Sequence, residues 1–203
     1  MSRRWTPTFG ATLCAIAVLV AAAVVRAAPP QAPPPKGSEY RIAIHCALKV
    51  LQVWRHTELV REYPIETGRS GLGKRRAGDH KTPIGDYEVT WMASKVSVKG
   101  HRIVDDKSWC KGNKFVYADT GPALERLSAP CYGGDEATVI SLSYPNPREQ
   151  LKGYTGECIH IHADRRLDKG ALKKSYGCIH MFPQDARELY ELVDVGTPVK
   201  ILP

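Results

Sequence analysis

The stretch IHADRRLDKGALKKSYGCIHM, residues 161–181, holds a histidine at the end of an apolar run and a cysteine behind a small residue and a glycine. The segment Ser175-Tyr176-Gly177-Cys178 predicts a tight turn that exposes a thiol and turns backbone N–H groups toward one point. A thiol at its ordinary pKa is mostly protonated, so it needs a basic partner. His162 is the predicted base, because the charged, glycine-containing loop 163–174 is long enough to bring it back to the cysteine.

The segments on both sides of this stretch predict a mainly β domain. Alternating apolar and polar residues, or short β-rich runs, predict strands at 40–46, 49–54, 59–67, 86–91, 138–143, 158–162 and 198–202. The helical spacing of Ala186, Leu189, Tyr190 and Val193 predicts one clear helix over 183–193. We therefore expect the α+β class, mainly β with one or two helices.

The N-terminal residues differ from the rest of the chain. Arg3 and Arg4 precede a stretch, 11–25, that is almost wholly apolar, which is the layout of a secretory signal. We expect a signal peptide at 1–28, with an uncleaved anchor helix as the alternative. A proline-rich linker at 29–38 then leads to a folded domain at 39–203. Either way the domain is exported, and we expect it in the periplasm.

The charge of the chain is mildly basic. The formal net charge is +8, and three arginines in the predicted signal segment leave about +5 (8 − 3) for the exported part. That charge suits an anionic surface such as a cell wall. No aromatic residues interleave the basic ones in a way that would indicate nucleic-acid binding. We expect no nucleic-acid partner, and a monomer.

The cysteines give a separate indication of a free thiol. The chain has six, and Cys14 lies in the predicted signal segment, so five remain in an exported chain. An odd number predicts one free thiol and up to two disulfides. The first expected pair is Cys110 with Cys131, around a loop-rich stretch. The second is Cys46 with Cys158, and the other pairings stay open.

The motif and its flanks resemble the signature of the L,D-transpeptidase (YkuD) family. The resemblance rests first on Ile161-His162-Ala163 and Ser175-Tyr176-Gly177-Cys178-Ile179-His180-Met181. Upstream, Tyr63–Gly68 and Thr82–Tyr87 are similar to the family's strand, loop and TPxGxY pattern. Ser141–Asn146 resembles the branch that includes a periplasmic murein amidase. The resemblance covers most of 40–203 and leaves an insertion, about 93–134, unmatched.

The resemblance implies a β-sandwich with a catalytic cysteine loop and a cysteine acyltransferase without a cofactor or metal. Cys178 would attack the third stem residue, diaminopimelate, and release D-alanine, with His162 as base and acid. The carbonyl of Ala163 would orient the His162 ring. The acyl group would pass to an amine in cell-wall crosslinking or remodelling. The implied partners are peptidoglycan stem peptides and a wall-anchored lipoprotein.

Other residues near the motif receive roles by the same resemblance. The backbone N–H groups of Tyr176, Gly177 and Cys178 would form the oxyanion hole. Ser175 is a further catalytic candidate. Candidates for substrate contact are His180, Tyr144 and His160.

Three positions depart from the family pattern. Ala163 replaces the usual glycine after the base, and Tyr176 replaces a common histidine. His180 replaces an arginine that is expected to help hold a substrate carboxylate or to order the site. A histidine is a weaker and pH-dependent substitute for an arginine.

Three alternatives to the transferase remain open at this stage. A hydrolase of the same fold, either an L,D-carboxypeptidase or a murein–lipoprotein amidase, would pass the acyl group to water. A zinc site would use Cys158, His160 and His162 on one strand face, with Cys178 or His180 nearby. An inactive wall-binding module would keep the fold without the chemistry.

Overall fold

The computed structural model describes residues 39–97, 102–103, 132–156, 158–168 and 170–203. The predicted signal segment 1–28, the linker 29–38 and the predicted Cys110–Cys131 pair lie outside the described residues, as does most of the 93–134 insertion. Within the described ranges, no helix is long and apolar enough to cross a membrane.

The described chain contains eleven strands, two α-helices and one 3-10 helix. The strands are β1 (Tyr40–His45), β2 (Val50–Arg55), β3 (Glu58–Pro64), β4 (Gly85–Ser94), β5 (Arg102–Ile103), β6 (Thr138–Leu142), β7 (His160–Ala163), β8 (Leu167–Asp168), β9 (Ala171–Leu172), β10 (Ile179–Met181) and β11 (Pro198–Leu202). The helices are α1 (Pro147–Leu151), α2 (Pro183–Leu192) and the 3-10 helix Gly134–Glu136.

Nine of these strands form one hydrogen-bonded sheet. Its order is β10-β7-β6-β4-β11-β1-β2-β3, with β5 paired to β4, and β8 and β9 form a separate hairpin. The pairs β1–β11 and β7–β10 are parallel, and the other pairs are antiparallel. The α+β, mainly β fold expected from the sequence is confirmed.

Strand β4 connects the two halves of the sheet. It runs three residues beyond the predicted end at Trp91, and its register against β6 shifts between Val89 and Trp91. Such a bulge bends a strand and increases its twist. The first part of β4 therefore pairs with β11, while the later part pairs with β6 and β5.

Helix α2 covers the strands that carry the motif. It buries Ala186, Leu189 and Tyr190, as the sequence predicted, and also Leu192, which the prediction did not include. The fourth predicted residue, Val193, directly follows the helix and is buried as well. This face packs against β6 and β7. Because a close-packed layer lies behind β7, the strand has little freedom to shift.

Helix α1 is absent from the sequence prediction, although its signal is present. Asn146 caps the helix by accepting from the Glu149 N–H, and the Glu149 side chain accepts from the Asn146 N–H. Pro147 occupies the first turn, where its missing N–H has no cost. Glu149 also accepts from the Tyr87 hydroxyl at 2.8 Å, which ties α1 to β4. The spacing Asn-Pro-x-Glu predicts this capping box, but five residues are too few for a hydrophobic period.

Replacing Leu189 by alanine tests the role of α2 in the core. Leu189 is fully buried, so we expect a loss of about 2–5 kcal/mol in the free energy of unfolding. Leu151 is 90% exposed, and Leu151→Ala is the matched control, with an expected change within about 0.5 kcal/mol. Urea unfolding followed by circular dichroism measures both. Equal stability of the two variants would contradict this packing.

Candidate active site

The parallel pairing of β7 with β10 brings the predicted base and nucleophile together. His162 lies opposite His180 in the ladder, and Ile161 lies opposite Ile179. Cys178 directly precedes β10, one strand across and two positions back from His162. Ladder spacings place the Cα atoms of Cys178 and His162 roughly 8 Å apart. That separation is within the combined reach of a cysteine and a histidine side chain.

Hydrogen bonds within the motif hold the nucleophile turn. The hydroxyl of Ser175 accepts from the Gly177 N–H at 2.9 Å and donates to the Cys178 carbonyl. Ser175 is fully buried, so its hydroxyl braces the turn and does not face a substrate. Of the three predicted oxyanion donors, the Gly177 N–H is therefore directed into the turn.

Gly177 is required by both its conformation and its surroundings. Its φ is +131°, a region that side chains with a Cβ rarely adopt. A Cβ at this position would lie 2.8 Å from the Lys81 carbonyl oxygen. The glycine of the motif thus allows the nucleophile turn to pack directly on the backbone of the loop at 80–82.

Thr82 connects this turn to a third segment. Its hydroxyl accepts from the Gly68 N–H at 2.8 Å and donates to the Gly177 carbonyl at 2.9 Å. A Cβ on Gly68 would lie 2.5 Å from the His80 carbonyl oxygen, so position 68 also needs a glycine. The TPxGxY pattern at 82–87 therefore has a structural role at the site, because its threonine holds two loops together.

His162 is held in one tautomer. Its Nδ1 lies 2.9 Å from the Ala163 carbonyl oxygen. A carbonyl only accepts, so Nδ1 carries the proton and Nε2 keeps its lone pair. Burial lowers the pKa of His162 well below its usual value, and the nearby His180 lowers it further. The ring is thus a neutral imidazole whose lone pair on Nε2 can accept a proton.

A buried carboxylate supports the neighbouring histidine. The Nδ1 of His180 lies 2.7 Å from the Lys173 carbonyl and 3.0 Å from Asp164 Oδ2. Asp164 is fully buried and accepts from both Nε and Nη2 of Arg166, at 3.0 and 2.8 Å. Burial lowers the pKa of His180, against the opposing effects of Asp164 and Lys173. The ring of His180 packs edge-on against His162, with centroids 4.7 Å apart.

The thiol of Cys178 is half-buried and outside any disulfide. Its Sγ lies 3.4 Å from the Cys158 carbonyl oxygen, which accepts the thiol proton. Cys178 is thus unbridged as predicted, but the prediction of a single such thiol is wrong. A second thiol, Cys46, is also free but buried, and burial raises its pKa to about 11.

The predicted pair of Cys46 with Cys158 is wrong. Cys46 is a free thiol, whereas Cys158 is disulfide-bonded. Cys46 follows β1 and Cys158 precedes β7, and three strands lie between these two in the sheet. Strand spacing alone separates them by about 19 Å, while a disulfide needs Cα atoms within about 7 Å.

The three predicted substrate contacts lie in the interior. Tyr144, His160 and His180 are at most 4% exposed. Tyr144 packs on Tyr87, and His160 packs on Trp91 with ring centroids 5.2 Å apart. Burial lowers the pKa of His160 to about 4, so it stays neutral at neutral pH. The sequence shows polar residue types but not which sheet face they occupy, so it did not indicate this burial.

Sequence reasoning missed Tyr132, Asp164 and Arg166. The Tyr132 ring covers His162, with centroids 4.9 Å apart. Nothing in the sequence around Tyr132 indicates this contact. The charged run after Ala163 could have indicated the Asp164–Arg166 ion pair. A charged residue beside a buried strand is rarely buried unless it is paired with an opposite charge.

The side chains proposed as zinc ligands are not arranged to hold a zinc ion. Cys158 is in a disulfide and precedes β7 with φ +76°, so it is not a thiolate on a strand face with His160 and His162. Across the part of the chain that the structure describes, no group of three or more histidine, cysteine or acidic side chains is placed to hold a metal ion.

Replacing Thr82 by valine tests the link between the loops. The change keeps the shape and leaves the Gly68 N–H and the Gly177 carbonyl without their buried partner. We expect the free energy of unfolding to fall by about 3 kcal/mol. Thr82→Ser keeps the hydroxyl and is the matched control, with an expected loss of about 1 kcal/mol. Urea unfolding measures the stability, and alkylation of Cys178, mapped by mass spectrometry, reports on the turn. Equal behaviour of the two variants would rule out this role.

Comparisons with known proteins agree with this geometry. The family described as L,D-transpeptidase catalytic domain (YkuD) matches residues 39–201. Among solved structures, the chain is similar to Bd1075 of Bdellovibrio bacteriovorus, with a TM-score of 0.52 and 20% identity over 81% of this chain and 48% of Bd1075. It is also similar to a mutant of the helical cell shape determining protein Pgp2 of Campylobacter jejuni, with a TM-score of 0.50 and 23% identity over 80% of this chain and 46% of Pgp2.

The chain spans about half the length of these two proteins, and at this identity the likeness shows a shared fold. A comparison with curated proteins found no match. Because the family match covers most of the chain and includes the motif at 161–181, the protein belongs to the L,D-transpeptidase catalytic domain (YkuD) family.

Proposed function

We propose that the protein is a peptidoglycan L,D-transpeptidase in which Cys178 is the nucleophile and His162 the general base and acid. The observation that carries this proposal is the Nδ1–H of His162 held on the Ala163 carbonyl, which leaves the lone pair on Nε2, in a strand that pairs directly with the one after Cys178. A half-buried thiol outside any disulfide is the expected partner of such a histidine.

The first half-reaction forms a thioester. His162 Nε2 takes the thiol proton as Sγ attacks the carbonyl carbon of the third stem residue, diaminopimelate. The carbonyl oxygen becomes an oxyanion, for which the N–H groups of Tyr176 and Cys178 are the proposed donors. The C–N bond to D-alanine then breaks, and the D-alanine amine takes the proton from His162.

The second half-reaction transfers the acyl group. An acceptor amine attacks the thioester carbon and gives a proton to His162 Nε2. The C–S bond breaks, and His162 returns the proton to the sulfur of Cys178.

The same proposal includes the location and partners of the protein. The predicted signal segment at 1–28 and the basic balance of the exported part support a periplasmic enzyme that acts on peptidoglycan stem peptides. A wall-anchored lipoprotein is a further acceptor or product that suits the same chemistry. We expect the enzyme itself to be a monomer.

Cys178→Ala tests the nucleophile. We expect the variant to lose all acyl-enzyme, seen as a mass increase on the intact protein after incubation with tetrapeptide muropeptides. Cys46→Ala is the matched control, because Cys46 is also a free thiol but is buried away from the turn. Full activity in Cys178→Ala, or loss in Cys46→Ala alone, would refute the assignment.

The products separate transfer from hydrolysis. Mass spectrometry of wild-type digests should show crosslinked dimers, or exchange of the terminal residue for an added D-amino acid. Trimmed monomers as the only product would refute the transferase and indicate the hydrolase of the same fold. Binding to sacculi without any turnover would indicate the wall-binding module.

The protonation state of His162 is a further prediction. Because its pKa is lowered well below the usual value, the neutral form should persist as the pH falls through 6.5. ¹⁵N NMR of the Cys178→Ala protein, which removes the coupled thiol, should show an Nδ1–H tautomer still neutral at pH 6.5. An Nε2–H tautomer, or a titration midpoint at or above 6.5, would contradict this arrangement.

A further inference from the structure

An exposed aromatic side chain stands next to the nucleophile. Tyr176 is 62% exposed, and it lies two residues before Cys178. The Arg69 guanidinium carbon lies 4.4 Å from the centre of its ring, and the His80 ring lies 4.9 Å from it. We call Arg69, His80 and Tyr176 the rim.

Backbone hydrogen bonds fix the rim relative to the thiol. The Arg69 N–H donates to the Ser175 carbonyl at 2.9 Å, and the Ser70 N–H donates to the His80 carbonyl at 3.2 Å. The three rim residues thus come from three segments joined at the nucleophile turn. Tyr176 and Cys178 have Cα atoms within about 7 Å of each other, because two residues span no more.

The rim carries a positive charge with no acidic partner. Arg69 contacts the Tyr176 ring and, through Nη2, His80 Nδ1 at 3.1 Å. Among the described residues, no carboxylate forms an ion pair with Arg69. A guanidinium has five N–H donors in a planar fork that matches a carboxylate, and stacking on an aromatic ring holds the fork in place.

Two other basic residue types beside the base, a histidine and an arginine, already have hydrogen-bond partners. His180, at the position where the family resemblance places an arginine, is buried and directed at Lys173 and Asp164. Arg166 is held by Asp164 through two hydrogen bonds. Arg69 differs from both, because it is exposed and forms no ion pair with a carboxylate of the described residues.

We propose that the rim binds the C-terminal carboxylate of the acyl-donor peptide, with Arg69 as the ligand to the carboxylate and Tyr176 as the surface that holds Arg69. The identity of the donor rests on the proposed function. In a tetrapeptide donor, the leaving residue carries its carboxylate one residue beyond the scissile carbonyl. One residue spans at most about 3.6 Å of chain, which is of the same order as the bound of about 7 Å between the Cα atoms of Cys178 and Tyr176. The rim therefore selects peptides with a free terminal carboxylate.

The test compares two peptides on the full chain with Cys178→Ala, so that binding is measured without turnover. The peptides are the stem tetrapeptide with a free C-terminal carboxylate and the same tetrapeptide as its C-terminal amide. NMR titration gives the two Kd values. We expect the free acid to bind about tenfold more tightly, as for a charge-assisted hydrogen bond at a partly exposed site.

Arg69→Gln in the same background should bring the two Kd values together, and circular dichroism shows whether the variant is folded. Arg69→Lys keeps the charge but not the fork and should retain only part of the preference. Arg41→Gln is the matched control, because Arg41 stacks on Trp54 at 4.8 Å on β1, away from the site, and it should keep the full preference.

Equal Kd values in the Cys178→Ala parent, or a full preference in Arg69→Gln, would overturn the proposal. A failure of the proposed function is recognised separately. It appears as wild-type protein that forms no acyl-enzyme, whereas the carboxylate preference in the Cys178→Ala background depends on the rim alone.

Discussion

The hydroxyl of Thr82 is the contact on which the rest of the site depends. It joins the Gly68 N–H to the Gly177 carbonyl, and both glycines lie against backbone where a Cβ has no room. The nucleophile turn therefore does not stand alone, because its position is set by residues almost one hundred positions earlier in the chain. This explains why the TPxGxY segment and the cysteine motif occur together in one pattern. The first supplies the support on which the second is folded.

Burial decides the electrostatics around the base. His162 and His180 pack against each other in the interior, and two buried rings 4.7 Å apart disfavour a double positive charge. Asp164 and Arg166 form a paired charge beside them, which adds little net charge to the site. Burial and the neighbouring His180 thus keep His162 neutral, with its lone pair on Nε2. An arginine at position 180 would place a permanent charge beside the base, whereas His180 does so only when protonated.

Much of the fold was predictable from the sequence, because it depends on local patterns. Alternation located β1, short β-rich runs located β2 and β6, and the apolar face at 186–193 located α2. The spacing of the motif predicted that His162 and Cys178 meet, but not that β7 and β10 run parallel, since pairing direction is a long-range property. Short elements such as β10 and α1 carry too few residues for a period. The sequence did not indicate that Tyr144 and His160 are buried, because residue type does not show which sheet face is covered.

Ala163 shows how a departure from the family pattern is accommodated. Its methyl group is fully buried, and a Cβ on Gly133 would lie only 2.8 Å from it. The alanine methyl group at 163 therefore fits because residue 133 is a glycine and has no side chain there. The φ of Gly133, +107°, also favours glycine. Tyr132, the residue before it, covers the ring of His162. The end of the insertion thus packs on both the base and the residue that orients it. Any movement of this segment would shift Ala163. Because the Ala163 carbonyl accepts the Nδ1 proton of His162, such a shift would change the orientation of the His162 ring.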